Sequence, residues 1–261
     1  MTDPVRALDD AWRMLWRVAA RVPPAECVIT SDITMGTLHV PIPPLNGVTT
    51  TRFSPESADA RITEVVAWYH ERHMPCLWWV GPTDTPTDLA ERLLARGFVE
   101  EEGTVPGMVA NLDRLPDEPG PPGIEVARVE EPTAYRETCD LMAAGFGLPL
   151  EVADAFERLA SLGFEDDVSL RTFIARIDGR PVGTSLGVLG EGTVGIFNVA
   201  TLPDARGRGV GRAVTLAAMR DAAEHGAGMA VLQSSPISHS VYERLGFDDV
   251  AHYRIFVGPP G

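Results

Sequence analysis

Between Asn198 and Arg212 the chain reads Asn-Val-Ala-Thr-Leu-Pro-Asp-Ala-Arg-Gly-Arg-Gly-Val-Gly-Arg. Glycines at 207, 209 and 211 remove Cβ atoms, so backbone N–H groups can come close to an anion. Arg206, Arg208 and Arg212 add positive charge to a chain whose formal net charge is −15. A strand-like run precedes the stretch and a helical run follows it. A helix N-terminus offers unpaired N–H groups and the positive end of its dipole, so this junction suits a pyrophosphate. It lacks the Lys-Ser/Thr ending of a P-loop and the spacing of a dinucleotide fingerprint. A second segment, Ser234 to Phe247, carries Tyr242. A phenol is a proton donor with a pKa of about 10.

The elements that position these residues are legible from periodicity and turn residues. A strand is expected over 124–129, a helix from about Pro132, and a second helix over 150–162, where Ala153, Phe156 and Leu159 recur at helical spacing. Strands at 170–177, 182–189 and 194–200 are separated by Asp178-Gly179 and Gly190-Glu191-Gly192, which are hairpin signals. The loop leads into a helix over 212–225 that ends at Gly226, a residue suited to the C′ position. A strand at 229–233, a helix through 242–245 and a strand at 250–257 complete a mixed α/β domain.

Pro116 to Gly123 holds four prolines and two glycines in eight residues and reads as a stiff linker. It divides an N-terminal domain (1–115) from a C-terminal domain (124–261). The N-terminal half opens with an amphipathic helix whose apolar face is Leu8, Ala11, Trp12, Leu15, Trp16 and Ala19. A helix around Ile62 to Tyr69, a strand at 76–80 and a helix at 89–94 follow. Glu91 to Phe98 echoes Tyr242 to Phe247, and both copies share the order strand, helix, Gly-Phe, strand, which indicates an internal repeat. Aligning the Gly-Phe pairs puts Leu93 where Tyr242 stands. The counterpart of the phosphate loop then falls at Ser54 to Asp59, with no glycine and two acids. All five tryptophans (12, 16, 68, 78 and 79) lie in this half; they read as core fillers, or as the lining of an acceptor pocket.

Composition narrows the function classes. The net charge opposes non-specific nucleic-acid binding and would attract a cationic small molecule. No apolar run is long enough to cross a membrane and no signal peptide is evident, so no membrane partner is expected. Cys27, Cys76 and Cys139 are odd in number and widely spaced, which fits buried thiols in a reducing cytoplasm and no metal site.

The loop, with Pro203 before it and Tyr-Glu-Arg-Leu-Gly-Phe after it, resembles the GCN5-related N-acetyltransferase (GNAT) family over about 124–257, most strongly from Ile196 to Phe247. Arg206, Gly209 and Gly211 fill that family's pyrophosphate motif, with Gly207, Arg208 and Val210 between. The resemblance implies a mixed, mostly antiparallel sheet flanked by helices, and the repeat extends this to two tandem GNAT-like domains, the first degenerate and without a cofactor loop. It implies acetyl-CoA as cofactor, held by that loop with Arg212, by backbone groups of Val199, Ala200 and Thr201 on a splayed strand, and by Ser235 and Ser238. It implies Tyr242 as the acid for the departing thiolate. Many relatives have asparagine seven positions before the tyrosine; Ser235 stands there. No base is named: Glu165, Asp166, Asp167, Glu191 and His239 are candidates, and water can serve instead.

The expected activity is acyl transfer from acetyl-CoA to a primary amine of a small-molecule acceptor, possibly a cationic one. A CoA-binding module without turnover and a protein or peptide N-acetyltransferase remain open, as do a monomer and a homodimer.

Overall fold

A computed structural model describes residues 3–115, 120–159 and 170–259. It falls into two compact units, Met1–Gly107 with Asp249–Gly261, and Met108–Asp248. In chain order the first unit holds α1 (Pro4–Ala19), β1 (Glu26–Ile29), β2 (Ile33–Thr37), β3 (Asn46–Thr51), α2 (Ala58–His70), β4 (Leu77–Val80), α3 (Leu89–Leu94) and β5 (Val99–Glu100). Next come β6 (Val105–Asn111), which belongs to the second unit from Met108 on, then β7 (Glu125–Arg128), α4 (Pro132–Phe146), α5 (Leu150–Glu157), β8 (Leu170–Ile177), β9 (Arg180–Leu189), β10 (Thr193–Thr201), α6 (Val210–Glu224), β11 (Met229–Gln233) and α7 (His239–Glu243). The last strand, β12 (Asp248–Val257), returns to the first unit from Asp249 on.

In the first unit the strand order is β1-β2-β3-β4-β12, with β5 also on β12. The β1-β2-β3 meander and the β12 pairings are antiparallel; β3 and β4 run parallel. Asp3 caps α1, its carboxylate accepting the Val5 N–H at 3.0 Å, and Pro4 sits at the first turn, where no N–H is needed. The Trp16 ring occupies the space above Gly36, where a Cβ would lie 2.3 Å from it. The core joins Ile33, Val48, Ile62, Tyr69, Trp78, Leu93, Phe98 and Phe256.

The second unit orders its strands β6-β11-β10-β9-β8-β7. The pairs β7-β8, β8-β9 and β9-β10 are antiparallel and β10-β11 is parallel. Met108 and Ala110 of β6 share a core with Ile196, Leu216, Met219, Tyr242 and Phe247. The architecture is thus mixed α/β with a mostly antiparallel sheet in each unit.

The repeat is visible in both units as an antiparallel meander, a helix, a parallel strand and a short helix. The Gly-Phe pairs coincide geometrically: Phe98 N–H donates to Leu93 O at 3.2 Å and Phe247 N–H to Tyr242 O at 3.1 Å. Leu93 therefore holds the position of Tyr242. Two features differ from the sequence-based domains. The unit boundary falls at 107/108, not across 116–123, and the strand assigned to the C-terminal domain pairs with β4, Val257 opposite Leu77 and Arg254 opposite Val80. The reason is burial: Phe256 is fully enclosed in the first core, and Met108 in the second. Of the expected linker, 116–119 lie outside the described residues, as does the end of the helix expected to 162. Among the described residues no helix is long and apolar enough to cross a membrane.

One polar cluster is buried in the first unit. Asp84 accepts the N–H groups of Thr51 at 2.6 Å and Gly81 at 2.7 Å, and Asp9 accepts from Arg52 at 2.9 Å and Thr83 at 3.0 Å. Arg52 lies 3.5 Å from Asp84 as well, so one guanidinium serves two enclosed carboxylates. Burial pushes Asp84 up to about 7 and raises Asp9 also. A raised carboxyl pKa stabilises the fold while the group is protonated, and that stability is lost as pH rises from the unfolded value of about 4 through the folded one. Urea unfolding of the first unit should therefore weaken from pH 5 to pH 7 by roughly 1 kcal/mol per pH unit. Asp84→Asn should flatten that slope and lower stability at pH 5; an unchanged slope would refute the assignment to Asp84.

Candidate functional site

The site is built around the end of β10. Thr193, Val194 and Gly195 pair in parallel with Met229, Ala230 and Val231 of β11, and the pairing stops there although both strands continue. On the other side β10 stays with β9. Phe197 faces Leu186 and Ala200 faces Thr184, so two residues of β10, Asn198 and Val199, stand against one of β9, Ser185, a β-bulge. Asn198 sits in the bulge with φ 52°, a left-handed conformation that Asn tolerates better than most residues. Val199, Ala200 and Thr201 thus extend beyond the last β10–β11 pair.

After Thr201 a 3-10 turn, Pro203–Ala205, leads to the glycine loop. Gly207 and Gly209 have φ 74° and 89°, and Gly209 is the N-cap of α6 with no side-chain cap. The first N–H groups of a helix have no intrahelical acceptor, so the N-terminus of α6 opens onto the loop. Close packing sets its place. A Cβ on Gly183 would lie 2.3 Å from Val210, and one on Gly211 would lie 3.8 Å from Thr201 Oγ1. Pro121, at the end of the proline-rich stretch, lies over Gly209, where a Cβ would come within 2.8 Å of its ring.

The arginines divide. Arg206 donates from Nη2 to the Gly145 carbonyl in the last turn of α4 at 2.8 Å, so it ties α4 to the loop. Arg208 is exposed and Arg212 is half-buried in the first turn of α6.

Tyr242 is buried on α7, with its ring edge-on to Phe247 at 5.9 Å. It belongs to the same apolar cluster that Val199 borders. Burial pushes the phenol up to about 12, opposed by the neighbouring Ser238 hydroxyl. Ser238 Oγ is 2.9 Å from Ser235 Oγ, and Ser235 is exposed. Ser238 thus neighbours the enclosed phenol and is bonded to a serine at the surface, a feature that sequence spacing did not show.

The base candidates are scattered. Glu191 is exposed in the β9–β10 turn, at the end of β10 remote from the bulge. His239 Nδ1 lies 3.6 Å from Glu243. Glu165, Asp166 and Asp167 lie outside the described residues. The tryptophans pack in the first unit: Trp78 is fully buried against Phe53 and Phe98, and Trp68 stacks under Arg72 at 3.9 Å.

Sequence reasoning missed a small cavity of about 20 Å³ between the α4–α5 pair and the β8-β9-β10 face, to which Asn198 contributes. Its lining comes from five elements, so no local signal marks it.

The packing of Gly209 yields a test. An alanine at 207 or 209 meets the left-handed penalty of about 1 kcal/mol, but only at 209 does it also meet Pro121. Gly209→Ala should destabilise more than Gly207→Ala in urea denaturation, by about 1 kcal/mol or more. Pro121→Gly should erase the difference. Equal effects in the Pro121 background would show that the contact carries no weight.

Residues 136–247 match the Acetyltransferase (GNAT) family. Among solved structures, the chain resembles a GCN5-related N-acetyltransferase from Kribbella flavida at 17% identity and TM-score 0.74, over 97% of this chain and 96% of that one. It resembles a second, from Sphaerobacter thermophilus, at 17% identity and TM-score 0.60, over 98% and 93%. A tandem GNAT protein from the clavulanic acid biosynthesis pathway matches at 15% identity and TM-score 0.63, over 98% and 95%. At these identities the likeness speaks for the fold alone. No curated protein matches the chain. The β10 bulge, the uncapped α6 and the buried Tyr242 all fall within the matched span, and this C-terminal stretch is a domain of the GNAT family, whose reaction is acyl transfer.

Proposed function

We propose that the chain transfers an acetyl group from acetyl-CoA to the primary amine of a small molecule. The observation that carries this reading is the separation of β10 from β11 beyond Gly195 beside a helix that starts at an uncapped, left-handed glycine. The residues fit the proposed cofactor. The N–H groups from Gly207 to Gly211, with Arg208 and Arg212, match a pyrophosphate, and the backbone of Val199 to Thr201 matches an amide-bearing arm. Ser235 and Ser238 stand near Tyr242 to hold its far end. Arg206 acts through the loop it fixes to α4.

Acetyl-CoA would supply an activated carbonyl. The amine nitrogen forms the new C–N bond and sheds a proton to water, the C–S bond breaks, and the sulfur takes up a proton. A backbone N–H of β10 beyond its last pair with β11 offsets the charge that develops on the carbonyl oxygen. Tyr242 donates a hydrogen bond to the departing sulfur. With the phenol at about 12 and a thiol at about 8.5, complete transfer from Tyr242 would run uphill by roughly 5 kcal/mol. The phenol therefore stabilises the thiolate, and the proton that the sulfur takes up comes from solvent. The three cysteines are unpaired, in keeping with a reducing cytoplasm.

Calorimetric titration should show micromolar binding of acetyl-CoA that Gly209→Glu abolishes. Thiol release with an amine acceptor should fall about 100-fold in kcat for Tyr242→Phe, with acetyl-CoA affinity unchanged. Absence of acetyl-CoA binding to the wild type would refute the reading.

A further inference from the structure

We propose that Gln233 is a catalytic residue: its side-chain amide donates a second hydrogen bond to the thioester carbonyl oxygen, where negative charge develops. This rests on the acyltransferase reading above. Gln233 ends β11, two residues past Val231, whose partner Gly195 closes the β10–β11 ladder. It therefore stands at the closed end of the split between these strands, on the face that Val231 shares.

The amide finds no answer within the protein. Gln233 Nε2 is shielded from solvent and has no hydrogen-bond partner among the described residues. An enclosed amide nitrogen without an acceptor is costly, and native structures seldom keep one without a use. An apolar side chain would fill the same place without that cost. The next polar side chain along is already engaged, since Ser234 Oγ donates to the Ser235 carbonyl at 3.0 Å. The donor held in reserve at this end of β11 is thus Gln233.

The order of parts along the split decides which end of the cofactor meets Gln233. The glycine loop follows Thr201, and Thr201, Ala200 and Val199 lead back from it toward Gly195. With the pyrophosphate on the loop, an arm laid along those residues brings its acyl group to the closed end. Ala230 and Leu232 face the core that holds Leu216, Met219 and Tyr242. Gln233 follows Leu232 in the strand and belongs to the opposite face. Tyr242 and Gln233 thus approach the split from its two sides, the first serving the sulfur and the second the carbonyl oxygen.

As the amine nitrogen forms the C–N bond, the carbonyl π pair moves onto oxygen, and it returns when the C–S bond breaks. Gln233 keeps its protons throughout, because an amide N–H is far too weak an acid to give one up. A lone backbone N–H offers one hydrogen bond to an oxygen that can accept more. Preorganised side-chain amides supply the further donor in sites of this kind.

Gln233→Met keeps the length of the side chain and removes the donor. CoA and acetyl-CoA differ only in the acyl group, and both can be titrated calorimetrically into the full chain. The variant should bind acetyl-CoA about tenfold more weakly, the worth of one hydrogen bond, and bind CoA as the wild type does. With acetyl-CoA labelled with 13C at the carbonyl, the infrared stretch of the bound thioester should move to higher frequency in the variant. The melting temperature of the free protein should not fall, since no internal bond is lost. Gln233→Glu, which has no donor when ionised, should lose the same preference for the acylated ligand. Equal weakening of both ligands overturns the inference. So does an unchanged acetyl-CoA affinity with an unmoved carbonyl band, or a Gln233→Glu variant that keeps the wild-type preference. If the wild type binds neither ligand, the acyltransferase reading itself fails and takes this inference with it.

Discussion

β10 pairs with β11 over three residues and with β9 over nearly its whole length. That inequality shapes the second unit. A strand leaving a parallel neighbour turns its backbone groups on that side away from the ladder, and such groups need other partners. The bulge at Asn198 lets β10 change direction without losing β9, since the extra residue absorbs the bend locally. Gly183 and Gly145 then allow Val210 and the end of β10 to come within distances that a Cβ would forbid. One departure from regular pairing thereby produces an open strand edge on one face of β10 and a cavity wall on the other.

Tyr242 shows how the same packing sets chemistry. Enclosure by the core that holds Phe247 and Leu216 raises the phenol's pKa and keeps it protonated at any physiological pH. That suits a hydrogen-bond donor and disfavours a group that must surrender its proton outright. The serine at 238 opposes the shift and is itself bonded to Ser235 at the surface.

Much of the second unit was legible because its signals are local. Asp178-Gly179 and Gly192 take the left-handed turns that their types announce, which fixes the β8-β9-β10 hairpins. The loop glycines at 207 and 209 do the same before α6. The meander β1-β2-β3 was not legible. It is rich in threonine and glycine, and both faces are covered in β2 and β3, so no alternation of apolar and polar residues marks it. Nor could the chain around Val250–Val257 announce its sheet: the pattern says strand, but the partner is chosen by where Phe256 is buried. The tie from Arg206 to Gly145 and the cavity depend on residues far apart in sequence, and no spacing rule reaches them.

The two copies of the scaffold differ in charge at the same junction. Both units pass from the third strand of a meander into a helix that precedes a parallel strand. In the first unit that junction carries its own anions. Glu56 is held ionised by its own backbone N–H and by Ser54, at the place where a phosphate would need those donors. Asp59, in the first turn of α2, pairs with Arg92 and Arg96 at 3.0 Å, so nearby cations are spent inside the unit. A phosphate approaching α2 would meet a carboxylate in the first turn, whereas one approaching α6 would meet a glycine N-cap and Arg208. The helix dipole is common to both copies; what separates them is whether the chain itself has already supplied the negative charge.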